Sequence, residues 1–145
     1  MKSIKTKNPE TKITIQKAQH KNPEKLIEKI NNIQLIDAKN IKSYKEIIHS
    51  AILAKKSIKN NTNIAEDPYI ETILYLSKQR QIKKAIQKHG VNKKTKKFYI
   101  ITFNGEKHLK NFIKQNNIKK LKTETKTTPK NLKKNLEKTA MLKVK

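Results

Sequence analysis

The residue of this lysine-rich chain that most suggests specific chemistry is Arg80, its single arginine. A guanidinium is planar and can hold a carboxylate or a phosphate through two parallel hydrogen bonds. Arg80 follows Ser77, which we expect to cap a new helix, so it falls near the first turn of that helix. A cation there opposes the helix dipole at a cost of about 0.3–1 kcal/mol. A compensating anion is therefore expected nearby.

Two interpretations of Arg80 follow from its position. In the first, the side chain folds back onto Glu71 or Asp67 of the preceding helix and forms a buried or half-buried ion pair. In the second, the guanidinium and the free amides at the helix start hold a phosphate together. The carboxylates are close in the chain, which slightly favours the ion pair, and both interpretations stay open.

Other residue types that support catalysis do not form a recognisable pattern. The chain has no cysteine and only two glycines, so a thiolate metal site and a glycine-rich phosphate loop are excluded. The acidic pair Glu66–Asp67 is explained better as a helix cap than as an acid–base pair. The four histidines are scattered, and they are His20, His49, His89 and His108. We expect a protein that is not an enzyme and that needs neither a metal nor a cofactor.

The net charge of +25, carried by 35 lysines and one arginine against 11 carboxylates, indicates a polyanionic partner. A field of this size raises the rate of encounter with nucleic acid, although it identifies neither the type of nucleic acid nor the site. No segment is apolar enough for a signal peptide or a membrane span. We therefore expect a cytoplasmic protein with no membrane and no small-molecule partner.

Apolar patterns predict three strands, at residues 13–18, 33–37 and 98–103. The last of them ends at the turn pair Asn104–Gly105. Helical patterns lie between the strands and after them, and 145 residues suit one domain. The sequence predicts a single α+β or α/β domain in which a small mixed or antiparallel sheet is covered by several helices.

The predicted helices begin at ordinary N-terminal signals: Pro23, the capping box Ser43–Glu46, the pair Asp67–Pro68 and the cap Ser77. We expect Gly90 to end the helix after Ser77 in a left-handed conformation. A further helix is predicted around residues 109–113. A polar linker near residues 122–128 and a C-terminal helix over 129–141 complete the predicted domain.

Five short motifs between residues 63 and 91 form a further pattern: Asn63-Ile64-Ala65, Glu71-x-Ile73-Leu74-Tyr75-Leu76-Ser77, Arg80-Gln81-Ile82, Ala85-Ile86 and Gly90-Val91. This pattern resembles the signature of the small regulatory subunit of the KEOPS (EKC) complex, the PRPK-binding protein family. The resemblance covers roughly residues 33–103, about half of the chain. In one departure, Lys78 stands where the family often has glycine, which makes the loop bulkier and more basic.

The resemblance implies a single regulatory-subunit domain over residues 1–145 without catalytic activity. Such subunits bind the kinase-like ATPase of KEOPS and help to activate it. They also help to recruit tRNA, through its single-stranded 3′ CCA end, while another subunit makes threonylcarbamoyl-adenosine. The partners expected from the resemblance are thus the kinase-like ATPase subunit and tRNA.

A single-stranded RNA end is usually held by phosphate contacts and by stacking of its bases on rings or guanidinium planes. The expected RNA-binding residues surround the Arg-Gln-Ile motif or lie at a helix end, and they are Arg80, Gln81, Lys59, Lys78, Lys83 and Lys84. Tyr44 or Tyr75 could supply a stacking ring, with packing in the core as the alternative for both.

Two other functions are compatible with the same composition. A general lysine-rich RNA-binding protein needs only the positive surface, and it would bind many RNAs with little preference. A scaffold that docks the kinase without touching RNA needs none of the lysines. Competition by unrelated RNA tests the first rival, and RNA binding by the isolated chain tests the second.

Overall fold

The computed structural model describes residues 1–7 and 10–122 of the chain. Its strands are all antiparallel to their neighbours in one sheet of order β1-β2-β4-β3, and β5 lies against the end of β2. The strands are β1 (Lys2–Lys7), β2 (Glu10–Gln19), β3 (Gln34–Asp37), β4 (Lys97–Thr102) and β5 (Lys119–Lys120). The helices are α1 (Pro23–Leu26), followed by a 3₁₀ turn (Ile27–Lys29), α2 (Tyr44–Lys59), α3 (Pro68–Ser77), α4 (Ile82–His89) and α5 (Glu106–Gln115).

The sheet is covered on both faces, which explains the unbroken apolar run of β4. Successive side chains of a strand point to opposite faces. Tyr99 and Ile101 belong to a core cluster with α2 and α3, whereas Phe98 and Ile100 pack with residues of α1 and α5. The described residues form a single antiparallel α+β domain, so the predicted fold class is confirmed and the α/β alternative is not needed.

Two of the predicted helix starts are confirmed with their caps. Ser43 Oγ accepts a hydrogen bond from the amide of Lys45 at 3.2 Å, and Asp67 Oδ1 accepts one from the amide of Tyr69 at 2.8 Å. The capping box differs in both halves, because Ser43 binds the second amide of the helix, that of Lys45, and not the third, that of Glu46. The Glu46 carboxylate reaches the amide of Lys42 at 3.0 Å rather than that of Ser43, so it closes a wider loop than the predicted one.

The prediction that Ser77 starts a helix is wrong, because Ser77 is the last residue of α3. The amide of Gln79 donates to the carbonyl of Leu74, and that of Lys78 donates to the carbonyl of Tyr75, each at 3.2 Å. This pair of bonds is a Schellman motif, which places Lys78 in the left-handed conformation (φ 58°, ψ 31°). The position usually suits glycine, so the lysine found here carries backbone strain of about 1–3 kcal/mol.

Gly90 ends α4 for a different reason from the predicted one. Its backbone is extended (φ −73°, ψ 156°) and not left-handed. A Cβ at this position would lie 2.6 Å from the carbonyl oxygen of Ile86, a distance at which the backbone must shift. The glycine is therefore required by the close approach of its own backbone to the last turn of α4.

Two strands of the sheet have no counterpart among the predicted elements, β1 and β5. β1 is a short polar strand, and β5 has only two residues. The polar linker and the C-terminal helix predicted after residue 122 lie outside the described residues. Within the described part of the chain, none of the helices has the length and apolar character needed to cross a membrane.

Candidate functional site

A groove of about 350 Å³ opens at the junction between α3 and α4, beside the loop that follows α2. We call it the helix-junction groove. Polar, charged and apolar side chains line it in similar measure, and they are Thr62, Ile64, Glu71, Leu74, Tyr75, Lys78, Gln79 and Arg80. Three of the residues predicted as RNA-binding or stacking residues, Arg80, Lys78 and Tyr75, therefore lie around one opening.

One buried carboxylate fixes the wall of this groove. Glu71 is only 2% exposed, and a buried charge is costly unless it is hydrogen-bonded. Its carboxylate accepts bonds from Ser57 Oγ at 2.7 Å, from the Ile64 amide at 3.1 Å and from the Ala65 amide at 3.0 Å. The loop after α2 is thereby held against α3.

The same loop is stiffened from within. The side-chain amide of Asn63 donates to the carbonyl of Ala65 at 2.9 Å, while the backbone amides of the next two residues bind Glu71. The motif Asn63-Ile64-Ala65 and the glutamate of the following motif are therefore one hydrogen-bonded unit. Its role is to shape the groove.

The ion pair proposed for Arg80 is wrong. Both of its expected partners are engaged elsewhere, Glu71 with the loop and Asp67 with the cap of α3. Arg80 is exposed, and it forms no ion pair with any described residue. It also lies two residues before α4 rather than in its first turn, because the helix starts at Ile82.

The start of α4 is open to an anion. Gln81 occupies the N-cap position without a side-chain cap bond, and the first turn contains no acidic residue. The first amides of a helix lack partners inside the helix, and the helix dipole makes this end positive. Exposed Lys83 and Lys84 add two charges to the same turn. The geometry is consistent with the second interpretation of Arg80, in which a phosphate is the partner.

The remaining predicted residues are not all in this region. Lys59, the last residue of α2, is exposed and does not line the groove. Tyr44 is 5% exposed and packs in the core beneath α2, so its ring offers no face to a base. Tyr75 is half-buried at the groove. Of the two rings, only that of Tyr75 lines the groove.

Several groove residues were not predicted as site residues, namely Thr62, Ile64, Glu71, Leu74 and Gln79. Thr62 and Ile64 come from a polar loop that shows no periodicity. The only feature of the sequence that marks them is the motif Asn63-Ile64-Ala65. The purpose of this motif becomes clear only once the structure shows that its backbone amides bind Glu71.

Exposed apolar side chains also gather near the groove. Ile64 is 50% exposed, and Ile82 and Ile86, one turn apart on α4, are each 42% exposed. The other face of α4 buries Ala85 and His89. Apolar residues exposed together beside polar ones are typical of a surface that contacts another protein.

Burial shifts the pKa of several side chains that do not line the helix-junction groove. Burial lowers the pKa of His89 and of His49 from the ordinary value of 6.5, so the neutral ring is favoured at both. Burial likewise lowers the pKa of Lys55, whose ammonium lies 4.5 Å from the ring centroid of Phe103. Among the described residues, no three histidines or carboxylates are grouped so as to hold a metal ion.

The fold and the groove define a small, strongly basic α+β domain that exposes a guanidinium and isoleucines around one helix junction. The family model of the kinase binding protein CGI-121 matches residues 12–145, and the chain belongs to this family. The match confirms the resemblance found in the sequence and extends it beyond residues 33–103. No curated protein matches the chain significantly.

Proposed function

We propose that this protein is the non-catalytic KEOPS subunit that docks the kinase-like ATPase and recruits tRNA, in the cytoplasm, for threonylcarbamoyl-adenosine synthesis. The family match supports the kinase part of the proposal. The observation that carries the tRNA part is Arg80, an exposed guanidinium at an open groove beside an uncapped helix start. The 3′ CCA end of tRNA is the ligand that we assign to this groove.

The groove suits a single-stranded end in size and chemistry. Its volume of about 350 Å³ lies at the small end of the range of about 300–1,000 Å³ that is usual for ligand pockets. Arg80 and the first amides of α4 hold a phosphate, Lys78 adds charge, and Tyr75 offers a ring edge for an unstacked base. Gln81, Lys83 and Lys84 are near enough in sequence to contact the next phosphates.

The test compares Arg80→Glu with Lys114→Glu, which makes the same charge change at an exposed residue of α5. We expect Arg80→Glu to weaken binding of intact tRNA by about tenfold or more, because it removes a charge-assisted contact worth about 1.5–3 kcal/mol. Lys114→Glu removes only diffuse attraction, so its effect is expected to stay within about threefold. The melting temperature of either variant should match that of the parent.

The same titration with tRNA lacking its CCA end identifies the contacted part of the RNA. We expect the truncated tRNA to bind the parent protein as weakly as intact tRNA binds Arg80→Glu. Equal binding of intact and truncated tRNA by the parent would contradict the proposal and favour the general RNA-binding rival. Absence of any tRNA binding by the isolated chain would favour the scaffold.

For the kinase, we assign the exposed face of α4 as the docking surface. The comparison is Ile86→Glu against Ile27→Glu, since both side chains are 42% exposed and only Ile86 lies on α4. We expect Ile86→Glu to abolish copurification with the kinase-like ATPase, because it places a charge in a desolvated contact. Ile27→Glu should copurify normally. Equal copurification of both variants would move the docking surface elsewhere.

A further inference from the structure

A second groove, of about 500 Å³, lies at one end of the sheet, where β3 ends and β4 begins. We call it the sheet-end groove. Five of its nine lining residues are lysines and one is a carboxylate. The lining is Lys17, Asp37, Ala38, Lys39, Asn92, Lys94, Thr95, Lys96 and Lys97. The groove thus gathers five lysines around one concave surface.

The walls of the sheet-end groove are tied together by its one carboxylate. Asp37 Oδ1 accepts a hydrogen bond from the amide of Lys39 at 2.9 Å, and Oδ2 accepts one from the hydroxyl of Thr95 at 2.9 Å. The first bond fixes the turn after β3, and the second joins that turn to the loop after α4. The lysines of both segments are thus carried on a braced backbone.

The loop after α4 is ordered by its own bonds as well. The amide of Asn92 donates to Thr95 Oγ1 at 2.9 Å, and Asn92 Oδ1 accepts from the amide of Lys94 at 2.8 Å. On the other side, the amide of Ala38 donates to the carbonyl of Lys97 at 3.0 Å. Preorganised charges lose less conformational entropy on binding, so these bonds favour a ligand that contacts several lysines at once.

The charged residues that line the groove favour an extended anion as its ligand. The lining contains five lysines and one carboxylate, which is already bonded to an amide and a hydroxyl. The lining contains no aromatic ring, glycine-rich loop or large apolar side chain, which base stacking, a nucleotide site or a protein contact would need. Lysines without such partners contact phosphates as point charges and read no sequence.

We propose that the sheet-end groove binds the phosphodiester backbone of double-stranded RNA, as a second contact separate from the helix-junction groove. The inference rests on the proposed function only in taking RNA as the polyanion. Lining residues of the two grooves flank α4 in the sequence, with Arg80 before it and Asn92 after it, and the 8 residues of α4 span about 12 Å. We expect an RNA with its single-stranded end at Arg80 to lay the adjoining stem on the lysines.

The test uses the full chain and a blunt-ended RNA hairpin that has no single-stranded end. The groove variant is Lys39→Gln/Lys94→Gln/Lys96→Gln, all three exposed, and the control is Lys107→Gln/Lys110→Gln/Lys114→Gln on α5. The two variants carry the same net charge. The dissociation constant is measured over a range of salt concentrations for each.

For duplex DNA, whose value we carry over to duplex RNA, the slope of log affinity against log salt becomes less steep by about 0.9 for each phosphate that the protein no longer neutralises. We expect the groove variant to lower this slope by about 2–3 and to weaken binding by at least about tenfold at moderate salt. The α5 variant should change the slope by less than about 1. Replacement of the same three groove lysines by arginine should restore the parent slope. Equal reductions of affinity in the groove and α5 variants would overturn the proposal, as would an unchanged affinity in both.

The outcome is separable from that of the proposed function. If the CCA end does not bind at Arg80, then Arg80→Glu leaves tRNA binding unchanged while the groove variant still binds the hairpin more weakly than the parent protein does. If the sheet-end groove does not bind RNA, then the groove variant keeps the parent's affinity for the hairpin, while Arg80→Glu still weakens binding of intact tRNA.

Discussion

The helix-junction groove and the sheet-end groove are both basic, yet they are built for different tasks. The first has one guanidinium, one lysine, a tyrosine and the apolar side chains Ile64 and Leu74. The second has five lysines and only Ala38 as an apolar residue. A mixed lining can recognise a chemical group and its orientation, whereas a lining of ammonium groups responds to charge alone. The type of cation and its neighbours are therefore more informative than the number of cations.

The two grooves are also braced in the same way, each by one carboxylate. Glu71 in the first is 2% exposed and binds a hydroxyl and two amides, while Asp37 in the second is half-buried and binds a hydroxyl and one amide. More donors and deeper burial make Glu71 the stronger brace. Removing each brace separates the grooves experimentally.

The largest effect is expected for Glu71→Ala. It leaves the amides of Ile64 and Ala65 without their acceptor, and the hydroxyl of Ser57 keeps only the carbonyl of Ala54. We therefore expect a loss of about 3 kcal/mol and a melting temperature lower by about 10 °C. Thermal unfolding followed by circular dichroism measures this. Glu66→Ala, at an exposed glutamate of the same loop, should change stability by less than about 0.5 kcal/mol.

Glu71→Ala also tests the independence of the grooves. Below its melting temperature, the variant should bind intact and CCA-lacking tRNA equally and keep its affinity for the blunt hairpin. A parallel fall in the affinity for intact tRNA and for the hairpin would mean that the two grooves form one site.

A smaller effect is expected for Thr95→Val, which removes the hydroxyl between Asp37 and the amide of Asn92 while keeping all the lysines. We expect a stability loss of about 1–2 kcal/mol and weaker hairpin binding with an unchanged salt slope, because the charges remain but are less ordered. Thr62→Val is the matched change in the other groove, where an exposed hydroxyl makes a longer bond of 3.3 Å to the carbonyl of Ser57. Thr62→Val should lower the free energy of unfolding by less than half as much as Thr95→Val does, as measured by urea unfolding.

Lys78→Gly should stabilise the protein by about 0.5–1 kcal/mol, because glycine adopts the left-handed conformation without strain. The same change removes one charge from the helix-junction groove, so we expect affinity for intact tRNA to fall by about twofold to threefold. Lys78→Asn, which tolerates this conformation, should give the same affinity with a smaller gain in stability. A loss of stability in Lys78→Gly would contradict the Schellman assignment.

The smallest effect concerns pH and lies at the end of α4 nearer the sheet-end groove. His89 is 4% exposed and its pKa is lowered by burial and by the charge of Lys88, while Glu46 and Asp37 act in the opposite direction. The unfolded state therefore binds a proton more readily than the folded state. Stability should be highest above pH 6.5, the ordinary pKa of histidine, and should fall as the pH drops below it. His89→Gln should flatten this decline, and an unchanged pH profile would assign the effect to His49.

The sequence was sufficient for the fold class and for three residues of the helix-junction groove, Arg80, Lys78 and Tyr75. Period-two runs and the caps at Ser43 and Asp67 give the sheet and two helices, because these signals are local. The start of α4 could not be predicted in the same way. Ser77 has the composition of an N-cap, but the bonds of the α3 C-terminus take precedence and place it inside the helix.

The two grooves differ in the same respect. Arg80, Lys78 and Tyr75 are close in sequence and share the helix-junction groove. The sheet-end groove gathers residues from positions 17 to 97, in segments that only the sheet register brings together. Its lysines look like any others in a chain with 35 of them. The sequence also suggested Glu71 as an ion-pair partner of Arg80. Its actual partners include the backbone amides of Ile64 and Ala65, which the identity of a side chain does not reveal.

The lysines of β1 also affect whether copies of the protein associate with one another. β1 is an edge of the sheet, and open edges are templates for pairing with a second chain. The exposed side chains of Lys2 and Lys5 lie along this edge. Two copies that met edge to edge would bring these like charges together, which disfavours continuous sheets across molecules. The lysine-rich composition thus protects the protein from aggregation, and that protection should be weakest where salt or bound polyanion neutralises the edge.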